Sequence, residues 1–143
     1  MSKISETRSF PGRFSSLNAI NQFVTRAARD AGLDDQALYA VQMAVDEACA
    51  NIIEHAYASE GRGPIECTCR VTDQGLTVVL HDHGQPFDPT RVVKPDLNAS
   101  LRERSSGGLG VYFIRQLMDD VRYEFSPQAG NTLTMVKHKE TAA

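Results

Sequence analysis

The sequence predicts an α+β fold, a two-layer sandwich with helices on one face of a mostly antiparallel mixed sheet of about five strands. Three observations predict it. Two segments before Gly61 carry apolar residues at three- and four-residue spacing, the period of an amphipathic helix. Later segments alternate apolar and polar residues and are joined in pairs by short turn sequences. A third amphipathic segment separates the two pairs, so helices and strands are expected to pack as two layers around one core.

Taken in order, Ile4 to Phe10 can form a short first strand, ended by Pro11-Gly12. Ser15 and Ser16 are good N-caps for a helix carrying Leu17, Ile20, Phe23, Val24, Ala27 and Ala31 inward, with Gly32 as its stop. Asp34 or Asp35 caps the next helix, which is expected to run to about Ala58, where Gly61, Gly63 and Pro64 break it. Ile65, Cys67, Cys69 and Val71 alternate as a half-buried strand. Asp73-Gln74-Gly75 turns the chain, and Leu76 to Asp82 returns as the next strand. Regularity then fades from Gly84 to Gly108, with Pro86, Pro89 and Pro95 in the way. A stretch this long without regular structure reads as a lid, about residues 86–106, in which Leu97 to Arg104 could form a helical turn or two. Leu109, Phe113, Ile114, Leu117 and Met118 mark the third helix. Val121, Tyr123 and Phe125 form a strand, Pro127 to Gly130 turns, and Leu133 and Met135 lie on the last strand. Residues 139–143 read as a frayed tail.

The 143 residues suit a single domain spanning 1–143, large enough to bury a core without covalent staples. Hydrophobic and charged fractions of 41% and 23% are those of a globular chain, and a net charge of −3 argues against direct nucleic-acid or anionic-membrane binding. With no apolar run of transmembrane length and no signal-peptide pattern, a cytoplasmic location is expected. Three cysteines fit a reduced compartment, and Cys67 and Cys69 read as a period-2 apolar pair rather than as metal ligands.

Chemistry gathers in three places. On the second helix, Leu38, Val41, Val45, Ala48, Cys49, Ile52 and Ala56 form the apolar face, while Glu47, Asn51 and His55 stack four apart on another. Alone, that stripe fits either a solvated polar face or a catalytic one. At the end of the returning strand, Asp82 offers a carboxylate to an exocyclic amine, and Gly84 permits close backbone approach to a flat ligand. Finally, Gly107, Gly108 and Gly110 open an apolar helix at about 1 kcal/mol each against Ala. That cost is reasonable if backbone N–H groups at a helix start must cradle phosphate oxygens. It is not a P-loop, since neither Lys-Ser nor Lys-Thr follows the glycines.

Glu47-x-x-x-Asn51-x-x-x-His55-Ala56-Tyr57, Asp82-x-Gly84-x-x-Phe87-Asp88 and Gly107-Gly108-Leu109-Gly110 together resemble the ATP-binding boxes of the GHKL superfamily, the Bergerat-type fold of gyrase, a heat-shock chaperone, histidine kinases and MutL. Their spacing and the phrase Leu117-Met118-Asp119-Asp120-Val121 look most like bacterial anti-sigma-factor serine/threonine kinases of the RsbW and SpoIIAB type, over about Phe10 to His138. The resemblance implies ATP and Mg²⁺ as cofactors. Glu47 would be the general base and Asn51 the Mg²⁺ ligand, with His55 near the phosphates. Asp82 would hold the adenine amine, Gly84 would admit the ring, and Phe87 belongs to the same box. Gly107, Gly108, Leu109 and Gly110 would serve the phosphates through their backbone. Arg102 and Arg104 lie in the lid, either within reach of a γ-phosphate or simply solvated. In Gly130-Asn131-Thr132, either Thr132 or Asn131 would take the water-mediated adenine contact. His81 and His83 would face together, without a third metal ligand.

The implied function is a serine/threonine-protein kinase in a partner-switching circuit. It would phosphorylate a STAS-domain anti-anti-sigma factor and sequester a sigma factor, and an exposed edge strand would suit a homodimer. The alternative is a nucleotide-gated binding module of the same fold with little or no kinase activity. No phosphoacceptor helix pair precedes the first strand and no transducer domain follows His138, which disfavours a histidine-kinase fragment or an ATP-hydrolysing switch.

Overall fold

The computed structural model describes residues 4–87 and 114–140. Strand β1 (Ile4–Pro11) leads through one 3-10 turn (Phe14–Ser16) into helix α1 (Leu17–Asp30). Helix α2 (Asp35–Asn51) follows and widens into a π turn (Ile52–Ala56). Then come β2 (Pro64–Thr72), β3 (Gly75–Asp82), helical residues 114–117, β4 (Asp120–Ser126) and β5 (Gly130–His138). The sheet order is β1-β2-β3-β5-β4. The fold is the expected α+β sandwich, with one refinement. All four described ladders are antiparallel rather than mixed, because β5 inserts between β3 and β4, the strands that run the same way.

Period-2 alternation decides which side chains meet the helices. Cys67 pairs with Leu80 and Cys69 with Val78, and across the next ladder Leu80 pairs with Leu133 and Val78 with Met135. These residues are buried against Ile20, Val24, Val41, Val45 and Cys49 of the helices. The same rows continue one step further, to Asp82 opposite Asn131. The apolar core therefore ends in two buried polar residues at one edge.

The caps differ in detail from expectation. Asp34 is the N-cap of α2, its carboxylate accepting from Ala37 N at 2.8 Å, worth about 1 kcal/mol. Ser16 makes no side-chain cap. The 3-10 turn before it already holds it at φ −83°, ψ −14°, outside the extended geometry that a capping side chain needs. Nor does α2 stay α-helical to Ala58. The chain departs after Asn51 into the π turn, closed by Tyr57 N–H to Ile52 O at 2.8 Å, and Ala58 turns out at φ 68°. Cys49, Cys67 and Cys69 are free and buried. Burial pushes the Cys49 thiol up, and a hydrogen bond with Cys69, then burial, pushes Cys67 up. They pack as small hydrophobes. Among the described residues no helix is long and apolar enough to cross a membrane.

Candidate functional site

Where the inward rows of β3 and β5 end, the polar groups form a network. Asp82 is 2% exposed and Asn131 4%. Asp82 Oδ1 accepts from Gly84 N at 2.8 Å and from Asn131 Nδ2 at 2.9 Å. Among the described residues, no donor reaches Asp82 Oδ2. The same Asn131 amide donates to Gln85 O at 2.8 Å, while its Oδ1 accepts from the Tyr123 hydroxyl. Phe87 N–H in turn donates to the Tyr123 oxygen at 3.0 Å. Desolvation raises the Asp82 carboxyl above its ordinary value; the Asn131 and Gly84 hydrogen bonds, then His81 and His83, oppose it. The outcome is a buried acceptor with one oxygen held and the other available to a donor from a ligand.

The helix supplies the facing wall. Asn51 is 4% exposed, and its Nδ2 is buried without a hydrogen-bond partner among the described residues; His55 Nε2 is in the same condition. Such orphans are rare and cost about 1–3 kcal/mol each, so each calls for an explanation. A bound ligand is a sufficient one. An amide oxygen is a fitting ligand for hard Mg²⁺, and the amide nitrogen suits a phosphate oxygen. Placement on the π turn carries His55 off an ideal α-helical line, and its ring stacks on Phe87 with centroids 4.7 Å apart and planes 14° from parallel. Such π turns are frequent at functional sites. Glu47 lies exposed one α-helical turn before Asn51. Desolvation, then Glu54, then Asp46 raise its carboxyl above the ordinary value. That moves it toward the proton affinity a general base needs.

Between the walls is a narrow cavity of about 20 Å³, lined by Ala48, Asn51, Ile52 and Ala56 from the helix side and by Asp82, Tyr123, Asn131 and Leu133 from the sheet. Phe87 and Ile114 close its sides. Asn51, Asp82 and Phe87, expected from sequence to share a site, therefore line one cavity, with His55 stacked on its edge.

The structure adds detail at two expected positions. Thr132 pairs with His81, so the strand's alternation turns it to the sheet face opposite Asp82; Asn131 is the β5 residue that touches Asp82. Gly84 also has a packing reason that its sequence context did not reveal. A Cβ there would lie 2.4 Å from Ala56 O, so glycine is needed to seat the strand end on the helix end. His81 and His83 do face each other, with centroids 4.7 Å apart. His81 lies 3.3 Å from Glu66 and its Nε2 meets Ala129 O. Among the described residues no three His, Cys, Asp or Glu side chains gather as a metal-ligand set. Arg102, Arg104, Gly107, Gly108, Leu109, Gly110 and the expected lid beyond Phe87 lie outside the described residues. Tyr123 was legible only as an alternating strand residue. Its available signal was chemical, since a Tyr on a core-facing row needs a hydrogen-bond partner.

Comparisons with known proteins agree with this architecture. The histidine kinase-like ATPase domain family matches residues 10–137. The serine-protein kinases RsbW of Bacillus velezensis and Bacillus subtilis are each 33% identical over 103 residues, covering 68% of this chain and 62% of theirs. The serine/threonine-protein kinase BtrW of Bordetella bronchiseptica is 30% identical over 100 residues, covering 70% of both chains. The match thus spans under two thirds of the RsbW relatives' length. In fold, the crystal structure of the RsbU and RsbW domains of a Mycobacterium tuberculosis protein superposes with a TM-score of 0.64 at 14% identity, over 97% of this chain and 34% of that one. The chain belongs to the histidine kinase-like ATPase domain family, on its RsbW-like side.

Proposed function

We propose that this chain is an ATP-dependent serine/threonine-protein kinase acting as an anti-sigma factor. The observation that carries the reading is the pairing of Asp82, held by Asn131 and Gly84, with the unpartnered Asn51 amide across one cavity. Asp82 Oδ2 accepts from the adenine amine, and the apolar side chains of Ala48, Ile52, Ala56 and Leu133 exclude water from the ring. Asn51 and His55 supply polar atoms at the phosphate end. Mg²⁺, when bound, neutralises phosphate charge, and Asn51 would be its protein ligand. Glu47 takes the proton from the attacking hydroxyl, helped by its raised proton affinity. Gly107, Gly108, Leu109 and Gly110 serve the phosphates by motif position, and Arg104 by its place in the expected lid. Phosphoryl transfer is mostly positioning and charge neutralisation, which this set of groups provides.

The phosphoacceptor is a STAS-domain anti-anti-sigma factor, and a sigma factor is the second partner, in a cytoplasmic circuit. Support for the activity is the description of relatives as serine-protein and serine/threonine-protein kinases; the partners rest on the resemblance of the boxes. β1 is an exposed edge strand, which suits a homodimer. The test is transfer of labelled phosphate from Mg-ATP to candidate STAS proteins. Equal transfer by wild type and Glu47→Ala would overturn the assigned base. A second reading, a nucleotide-gated binding module, draws on Glu47 lying outside the cavity lining. It predicts partner capture that depends on Mg-ATP, with no phosphoprotein formed.

A further inference from the structure

We infer that Asn131, clamped by Tyr123, is the positioning residue that turns Asp82 into a one-sided acceptor and ties residues 84–87 to the sheet. This rests on the nucleotide reading above. The amide of Asn131 points one way. Nδ2 faces three oxygens that only accept, at 2.9 Å (Asp82 Oδ1), 2.8 Å (Gln85 O) and 3.5 Å (Gly84 O). Oδ1 faces two donors, the Tyr123 hydroxyl and Phe87 N–H, the latter at 3.4 Å. The opposite orientation would set an oxygen against three acceptors, so the network permits one state. Tyr123 reinforces it, because its hydroxyl can give its proton to Asn131 and accept from Phe87 N–H at the same time.

The consequence is a division within one carboxylate. Both protein donors converge on Oδ1, which leaves Oδ2 for a donor on the ligand. A side chain without the amide N–H would free Asp82 to rotate and release the carbonyl of Gln85. The assignment to Asn131 follows from register as well as contact. It stands directly opposite Asp82 across the β3–β5 ladder, the nearest position on β5 that can hold a carboxylate on this face.

The test uses the full chain and three variants, Asn131→Ala, Asn131→Asp and Tyr123→Phe, with fluorescent ATP affinity as the first readout. Asn131→Asp is the discriminating change. It keeps shape and the acceptor for Tyr123, but sets a second carboxylate about where the amide was, and the two must then share one proton. The titratable groups around the pair are His81 on β3, His83 just after it, Tyr57 and His55 after α2, Tyr123 on β4 and Glu66 on β2. Wild type has the same set, so the difference between the two pH profiles reports the new pair. The expected result is ATP affinity in Asn131→Asp that falls about tenfold or more relative to wild type between about pH 6 and about pH 8, as the shared proton is lost. Asn131→Ala is expected to lose about tenfold at all pH values, and Tyr123→Phe a smaller factor. Profiles of Asn131→Asp and wild type that run parallel overturn the inference while leaving the nucleotide reading intact. Hydrogen exchange at Phe87 N–H is the second readout and needs no nucleotide. Protection lost about tenfold in Tyr123→Phe and Asn131→Ala supports the clamp, and unchanged protection overturns it. Absence of ATP binding by wild type would overturn the nucleotide reading and, with it, the role of Asp82 as a ligand acceptor.

Discussion

Gly84→Ala tests whether the site depends on backbone contact between the end of β3 and the end of the helix. A Cβ at position 84 would lie 2.4 Å from Ala56 O, 2.5 Å from Ala56 C and 2.9 Å from Ala56 Cβ. Two of those three atoms are backbone, so no side-chain rotation relieves the overlap, and β3 must move away from the π turn. The move stretches the Gln85 N–H to Ala56 O bond, now 2.7 Å. Overpacking costs about 1–3 kcal/mol and the hydrogen bond about 1 kcal/mol, so the loss should be about 2–4 kcal/mol. Against a total of about 5–15 kcal/mol the domain stays folded, with Tm lowered by about 5–15 °C. Urea unfolding should show a lower midpoint at unchanged slope. Because Gly84 N–H also holds Asp82 Oδ1, nucleotide affinity should fall about tenfold. Gly32→Ala is the control. Its Cβ would meet nothing closer than Lys139 Cδ at 3.7 Å, but its φ of +79° should cost about 1–2 kcal/mol through backbone strain alone, with nucleotide affinity unchanged. Stability of Gly84→Ala within about 0.5 kcal/mol of wild type would refute the packing account.

Four further outcomes follow from the same geometry. Asn51→Leu removes a buried amide whose nitrogen has no described partner, so calorimetry should find the fold as stable as wild type or about 1 kcal/mol more so, while Mg-ATP binding drops by more than about tenfold; retained binding would count against the assigned ligand. Glu47→Gln should lower phosphoryl transfer by about 10²–10³ with nucleotide affinity within about twofold, and the wild-type acid limb, set above the ordinary Glu value of 4.5, should vanish from its pH–rate curve. For Asp82 the folded state favours the protonated form, since desolvation raises the carboxyl above 3.8. Its stabilising contribution is complete below about 3.8 and disappears as pH rises through the raised folded value. Asp82→Asn, which has no such titration, should therefore gain stability on wild type from acid to neutral pH while losing ATP; a constant difference across denaturation curves at several pH values would contradict the linkage. Tyr57→Phe removes the hydroxyl that donates to Pro64 O at 2.6 Å and accepts from His83 N–H at 3.0 Å, and should cost about 1–3 kcal/mol in chemical denaturation.

Residues with a strict period were the legible ones. Ile65, Cys67 and Cys69 announced a buried strand face by alternation, and all three lie in the core. Asp34 announced a helix start by its chemistry, and its carboxylate makes the cap. Asn51 was legible as part of a polar stripe with Glu47 and His55, and it is buried with an unmatched amide. Two kinds of information were not legible. The widening of α2 into a π turn leaves no mark on apolar spacing, because Ile52, Ile53 and Ala56 are buried in either geometry. The choice between Asn131 and Thr132 depends on strand register, and a one-residue difference reverses the face. Sequence supplied both candidates, and the register shows which of them, Asn131, lies against Asp82.

The two ends of the cavity place opposite demands on folding. At the Asp82 end, the protein provides its own partners: Gly84 N–H, Asn131 and Tyr123 satisfy one another and are fixed by β-ladder register before any ligand arrives. A ligand there gains mainly selectivity, since it meets an oriented acceptor and need not order the site. At the Asn51 end, two buried nitrogens have no described partner, on a helix whose hydrogen-bond pattern changes at that residue. Burying them unpaired costs stability in the free protein, and that cost is relieved when a ligand supplies acceptors. On the nucleotide reading proposed above, the Asn51 end would couple occupancy to stability, while the Asp82 end would decide which base can use that coupling. This arrangement suits a protein whose partner choice must depend on bound nucleotide, because the α2 terminus that carries Asn51 and His55 is directly packed, through Ala56 and Gln85, on the first residues after β3.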